Sequence, residues 1–332
     1  MSVTNQTQTN TTVGIQRQGL AGLVLFSLLT TLPCCICLFI NGIMLFTLRS
    51  KPVFRETSRY ILLFNLLFAD TVQLAQSQIM YLLSAARVLL LYTVCCVLIA
   101  LNNLSHIISP LTLVVMCLER YVAVCYPLRH AAIITIKNTV VVICVVWALS
   151  SLNFLTRLNL MLKDHFKDLQ HLMMTDFCGK DNLLFDPVSQ LYDKASTYFL
   201  FALAGVTVTF SYVGIIVAAK SASTDKASAN RARKTLLLHL VQLGLSMSST
   251  IHSSLLIVVS TNLDRASAVI IQILLYICLI IVPKCLSSLI YGLRDQTIRP
   301  VLMLHLCWHC RVLPVMSVTS TNTRVRTFTA KS

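Results

Sequence analysis

Glu119-Arg120-Tyr121 closes a long apolar run and is followed by Pro127-Leu128-Arg129-His130. An acidic residue, arginine and tyrosine in a row recur by chance, so the weight of this triplet comes from its position. An arginine where an apolar helix meets the membrane face can pair with its carboxylate neighbour, meet a partner protein, or snorkel to the interface. Asp70 and Lys284 fall in the middle of apolar segments, where an isolated charge is costly and must face inward and be satisfied. Asp70 lies 11 residues beyond Arg59 and Lys284 lies 8 before Gly292. At the rise of an α-helix these spacings put both charges roughly 16 and 12 Å from one membrane face. They can meet as an ion pair, or each can be satisfied separately by water and backbone carbonyls.

A second polar group sits on the other half of the Arg120 segment. Asn102, Asn103 and His106 follow helical spacing, so one face presents all three. Polar side chains there suit either a small-molecule pocket or hydrogen bonds between helices. Ser196, Thr197, His252 and Ser253 are weaker candidates, because a hydroxyl in a membrane helix often bonds its own backbone. Most of the 13 cysteines lie within apolar runs as small core residues. Cys307 and Cys310, with His305 and His309 nearby, form the one group with metal-ligand spacing, but no second pair follows them, and no metal or cofactor is expected.

The elements that must position these residues follow from composition. Charged residues make up 12% of the 332 residues and hydrophobic ones 56%, against roughly 25% charged in soluble domains. With a mean hydropathy of +0.76, the solvent for much of the chain is lipid. Seven apolar segments lie near Leu23–Leu48, Tyr60–Leu83, Leu91–Val124, Val140–Leu155, Ala195–Ala219, Leu236–Val259 and Ala268–Tyr291. The fourth is long enough to span only if it starts near Ile136. Backbone satisfaction in lipid makes all seven helices, and the alternation of a barrel is absent. This is an all-α membrane protein, a seven-transmembrane helix bundle.

Loop charge sets the expected orientation. Most of the 27 Lys+Arg fall in 49–59, 120–137, 220–234 and 294–331, which would face inward, whereas the loop near 156–194 collects Asp164, Asp168, Asp176, Asp181, Asp186 and Asp193. The N-terminus is therefore expected outside and the C-terminus inside. Residues 1–22 read as an extracellular tail without signal-peptide features, carrying sequons at Asn5 and Asn10; 23–292 form the membrane domain and 293–332 a cytoplasmic tail. The formal charge of +15 does not imply nucleic acid, because the basic residues punctuate apolar runs instead of clustering on one face.

These landmarks together resemble the rhodopsin-like G-protein-coupled receptors, and within them the fish odorant receptors. The resemblance is carried by Asn41, Asn65-Leu66-Leu67-Phe68-Ala69-Asp70, Arg120, Trp147, Ser211-Tyr212, Arg233 to His239, and Pro283 through Tyr291-Gly292-Leu293-Arg294-Asp295. It implies a plasma-membrane receptor, not an enzyme, that binds a small-molecule odorant and activates a heterotrimeric G protein. Glu119, Arg120, Tyr121, Tyr212 and Tyr291 would then serve G-protein coupling, with Arg120 locking the inactive bundle. It also implies an external disulfide from Cys95 to Cys178, with Cys96 as the alternative to Cys95. The aspartate at Asp70 usually helps bind sodium in this family; Asn41 and Ser109 match two of the other positions, and Lys284 falls on the seventh-helix wall, where its ammonium would replace the ion. The chain departs from the family at Ser287-Ser288-Leu289-Ile290-Tyr291, where Asn-Pro usually precedes the tyrosine by two residues. No carboxylate stands among the pocket candidates to anchor an amine, and the retinal-binding position is Ile281, not a lysine. A polytopic transporter is the alternative class, although repeated halves are absent.

Overall fold

The computed structural model describes residues 3–86, 88–165, 178, 187–221, 265–295 and 297–312, with scattered positions of the sixth apolar segment. Its elements are helices: α1 (Val3–Ser50), α2 (Pro52–Arg55), α3 (Ser58–Ala85), α4 (Tyr92–Cys125), α5 (Pro127–Ile133), α6 (Ile136–His165), α7 (Pro187–Ser221), α8 (Arg265–Tyr276), a π-helical turn (Ile277–Ile281), α9 (Val282–Arg294) and α10 (Ile298–Val312). Five stretches are long and apolar enough to cross a membrane: Ser27–Ser50, Tyr92–Cys125, Ile136–Lys163, Pro187–Ala218 and Ile270–Gly292. Helix α3 has the length as well, but Asn65, Asp70, Gln73, Gln76 and Gln78 dilute its hydropathy. All of these except Gln76 are buried, so the polar face of α3 points into the bundle. The remaining segment of the seven, near 236–259, lies mostly outside the described residues.

Helix α4 is the axis of the bundle and packs against α3, α6 and α7. Met44, Leu63, Leu66, Leu67, Leu113, Met116 and Tyr291 join α1, α3, α4 and α9 in one apolar core. The outward faces are apolar too: Val141, Leu149, Leu152 and Leu155 on α6, and Tyr198, Phe199, Val206 and Phe210 on α7, are exposed. Such faces belong in hydrocarbon.

Three boundaries differ from those read in the sequence. Helix α1 starts at Val3, not near Leu23, so Asn5 and Asn10 lie on a helical extension. No proline interrupts the chain before Pro33, and extending an existing helix costs little beside nucleating one. Helix α6 begins at Ile136, as spanning required, but runs on to His165, and α7 begins at Pro187. Arg157 and Asp193, expected in the outer loop, are therefore helical, and both are buried. Their mutual ion pair makes that burial tolerable.

The third difference concerns the seventh span. Pro283 has no N–H to give, and its ring crowds the carbonyl four residues back, at Leu279. The π-helical turn over Ile277–Ile281 lies directly before it and absorbs the break. The irregularity thus sits ahead of Pro283, while Ser287 and Ser288 continue a regular helix.

Candidate functional site

Three polar layers lie along α4. In the middle layer, Lys284 Nζ donates to Asp70 Oδ1 at 2.6 Å, and Ser109 Oγ donates to the same oxygen at 2.6 Å. Asp70 is 2% exposed and Lys284 4%, so the two charges neutralise one another away from solvent. Ser288 Oγ donates to Asn41 Oδ1 beside them. One helical turn away from Asp70, Asn65 Nδ2 donates to Thr112 Oγ1 at 2.9 Å, and Asn65 Oδ1 accepts from Trp147 Nε1 at 2.9 Å, joining α3, α4 and α6. The four residues Asn41, Asp70, Ser109 and Lys284 thus form two bonded groups from four helices.

At one end of α4, Cys95 is bonded to Cys178, and Cys96 stays free and buried. Below this bond, Gln73 Nε2 of α3 donates to His106 Nδ1 at 3.1 Å, and Ser77 Oγ donates to Asn102 Oδ1 at 3.4 Å. Asn103 Nδ2, Gln73 Oε1 and His252 Nε2 are buried and have no hydrogen-bond partner among the described residues. Phe201 lies 5.8 Å from the His106 ring, and the Tyr276 ring lies 6.2 Å from that of His252. Tyr276 OH donates to Gln78 Oε1 at 3.2 Å, and Gln78 Nε2 donates to Thr31 Oγ1 at 3.0 Å, closing the group against α1.

Ser196 and Thr197 stand apart from this cluster, facing Arg157. The Arg157 guanidinium pairs with Asp193, donates to Asn153 Oδ1 at 2.7 Å and Ser196 Oγ at 2.8 Å, and reaches Thr197 Oγ1 at 3.5 Å. Ser253 lies outside the described residues. Gln73, Ser77, Gln78 and Tyr276 were not among the sequence candidates. Their signal was present, since three amides and a serine within six residues of an apolar segment mark an inward face.

At the opposite end, Arg120 Nε pairs with Glu119 Oε2 at 2.9 Å, and His130 Nε2 of α5 lies 3.8 Å from the other carboxylate oxygen. Asp295 pairs with Arg59 at 3.1 Å, accepts from Tyr60 OH at 3.3 Å, and caps α10 through the Thr297 backbone N–H at 2.9 Å. Tyr121 packs against Phe210 of α7 at 5.8 Å. It fits because position 214 is glycine: a Cβ there would lie 2.4 Å from the Tyr121 ring. Tyr212 packs in the same apolar group as Tyr121, and Tyr291 is buried in the α1–α3–α4 core. His305 is taken up by Thr47, 2.9 Å away, and by the Phe46 ring. No cluster of three metal-ligating residues occurs among the described residues.

A bundle of apolar helices with buried charge at mid-depth and an Arg120–carboxylate pair at one end describes a class of membrane receptor, and comparison with known proteins gives the same class. The chain belongs to the rhodopsin family of seven-transmembrane receptors and, within it, to the fish odorant receptors: the family described as 7 transmembrane receptor (rhodopsin family) matches residues 40–291. It is 33% identical over 263 residues to Odorant receptor 131-2 of Danio rerio, covering 79% of each chain. It is also 28% identical over 192 residues to Olfactory receptor 8A1 of Homo sapiens, covering 56% of each. The protein is accordingly a multi-pass plasma-membrane receptor and not an enzyme, and the transporter alternative falls away.

Proposed function

We propose that this receptor binds a small-molecule odorant at the disulfide end of the bundle and activates a heterotrimeric G protein at the Arg120 end. In this reading the disulfide end faces outward, residues 293–332 lie in the cytoplasm, and Asn5 and Asn10 are glycosylated. Asn102, Asn103, His106 and His252 line the ligand site with Ser253, while Ser196 and Thr197 border it through Arg157. Glu119, Arg120, Tyr121, Tyr212 and Tyr291 form the coupling end, and membrane lipid covers the outward apolar faces. The observation that carries this reading is the arrangement along α4: buried amides and an imidazole at one end, the Arg120–Glu119 ion pair at the other, and the Asp70–Lys284 pair between them. Buried polar groups left unpaired are expensive in a purely structural role and suit a surface that meets a ligand.

The test is a panel of odorants applied to cells that express the full chain with a second-messenger reporter. A response that depends on both the compound and the receptor supports the reading. Net uptake of a responding compound without any messenger change contradicts it.

A further inference from the structure

The polar cluster at the disulfide end carries information about ligand charge. Its members are amides and imidazoles: Gln73 on α3 with Asn103 and His106 on α4, and, beside Tyr276, His252 on the sixth segment. The buried charges at mid-depth and between α6 and α7 are already neutralised. Lys284 is held by Asp70, and Arg157 by Asp193. An ionised ligand head entering the cluster would meet no free counter-charge among the described residues. Leaving a buried charge uncompensated is far costlier than burying a neutral dipole that finds its hydrogen bonds.

The unpartnered atoms also have defined polarity. Gln73 spends its Nε2 donor on His106 Nδ1, which leaves Gln73 Oε1 as an acceptor without a donor. Asn103 Nδ2 is a donor without an acceptor. His106 stands three residues after Asn103 on α4, so both unpartnered atoms lie within about one helical turn of the Gln73–His106 bond. A neutral group that both donates and accepts satisfies them together. Phe201, 5.8 Å from the His106 ring, supplies aromatic surface for a short apolar remainder.

From this pairing of unmatched donor and acceptor we infer that the receptor selects uncharged ligands bearing a donor and an acceptor on adjacent atoms, a primary carboxamide being the simplest, over the corresponding carboxylates and amines. The inference rests on the ligand site proposed above, and the experiment separates the two. Full-length receptor purified in detergent is melted in the presence of short-chain carboxamides, carboxylates and amines of matched carbon skeleton, and the same compounds are applied to reporter cells. The carboxamides are expected to raise the melting midpoint and to evoke the messenger response. A shift from carboxamides without a messenger response keeps the inference and breaks the signalling reading. Shifts from carboxylates or amines, and not from carboxamides, overturn the inference and keep the reading; no shift from any of these compounds overturns the inference, and the odorant panel decides the reading.

Two variants read the same geometry. Asn103→Leu removes a donor that lacks a partner, so the ligand-free midpoint is expected to hold or rise while the carboxamide affinity falls about tenfold. A fall in the ligand-free midpoint would show that Asn103 is structurally satisfied and would overturn the assignment. Gln73→Glu places a carboxylate in the cluster and is expected to move selectivity from carboxamide to amine. Unchanged selectivity in a folded Gln73→Glu receptor counts against the inference, and the Asn103→Leu result decides it if that variant does not fold.

Discussion

The two ends of α4 carry different kinds of polar group. At the Arg120 end, carboxylates meet cations: Glu119 holds Arg120, and Asp295 holds Arg59 while accepting from Tyr60. At the disulfide end the buried groups are amides and imidazoles; atoms without a hydrogen-bond partner among the described residues occur at both ends, Gln73 Oε1, Asn103 Nδ2 and His252 Nε2 here, Arg120 Nη2 and His130 Nε2 there. Paired charges resist separation and make one end a clasp. Neutral amides and imidazoles can exchange hydrogen-bond partners without separating full charges. Between the two stands the Asp70–Lys284 pair, which gives the bundle a cation of its own at mid-depth. Under the proposed function, the difference separates the end where a ligand would bind from the end where the ion pairs would have to rearrange.

The largest expected effect tests the centre of this arrangement. Asp70→Asn or Lys284→Met strands one charge in an environment nearly closed to solvent, a loss of about 3 to 5 kcal/mol. The double variant should lose less than either single one, since no charge is left unpaired. Thermal melting of the three purified variants checks this, and strictly additive losses would remove the ion pair from the account. The ion pair also predicts ligand binding insensitive to sodium, measurable by titrating sodium against potassium at constant ionic strength.

Next in size is the disulfide. Cys95→Ser is expected to cost about 2 to 4 kcal/mol and to weaken any ligand response, because Cys95 opens the helix that carries Asn102, Asn103 and His106. Peptide mapping without reductant should find Cys95 joined to Cys178; both as free thiols would contradict the geometry. A smaller effect belongs to the clasped end. Gly214→Ala pushes a methyl into the Tyr121 ring and should cost about 1 to 3 kcal/mol by overpacking. The readout is a lowered melting midpoint, and Tyr121→Leu in the same background should recover part of it by removing the ring the methyl strikes. The smallest effect is that of Tyr60→Phe, which removes one hydrogen bond to Asp295 and leaves the Arg59 pair. A loss of about 1 kcal/mol is expected, and a loss as large as that for Asp70→Asn would erase the contrast between removing one hydrogen bond and stranding a buried charge.

Much of this was legible in the sequence because the bilayer enforces it. Helices α3, α4 and α6 begin within a few residues of where apolar runs and spanning length put them, and the depths of Asp70 and Lys284, counted along two separate helices, brought the charges together. What could not be read depends on contacts across helices. Arg157 and Asp193 look like loop charges until α6 and α7 are seen to extend past the apolar core and to bury each against the other. The hydroxyls of Ser196 and Thr197 give no sign in the sequence of the Arg157 guanidinium that lies beside them. Pro283 announces a break, yet only the backbone reveals that a π-helical turn precedes it. Gln73 escapes notice because an amide in an apolar run carries no motif, although its burial cost is the stronger signal.

The division of labour along α4 is tested most directly by Arg120→Ala, with binding and signalling measured on the same receptor. Arg120 lies far along the helix from Asn103 and His106, and its ion pair is with Glu119 at its own end. The account predicts surface expression and ligand-induced thermal stabilisation close to the unsubstituted receptor, with the second-messenger response abolished. Full signalling by a well-expressed Arg120→Ala receptor would contradict it.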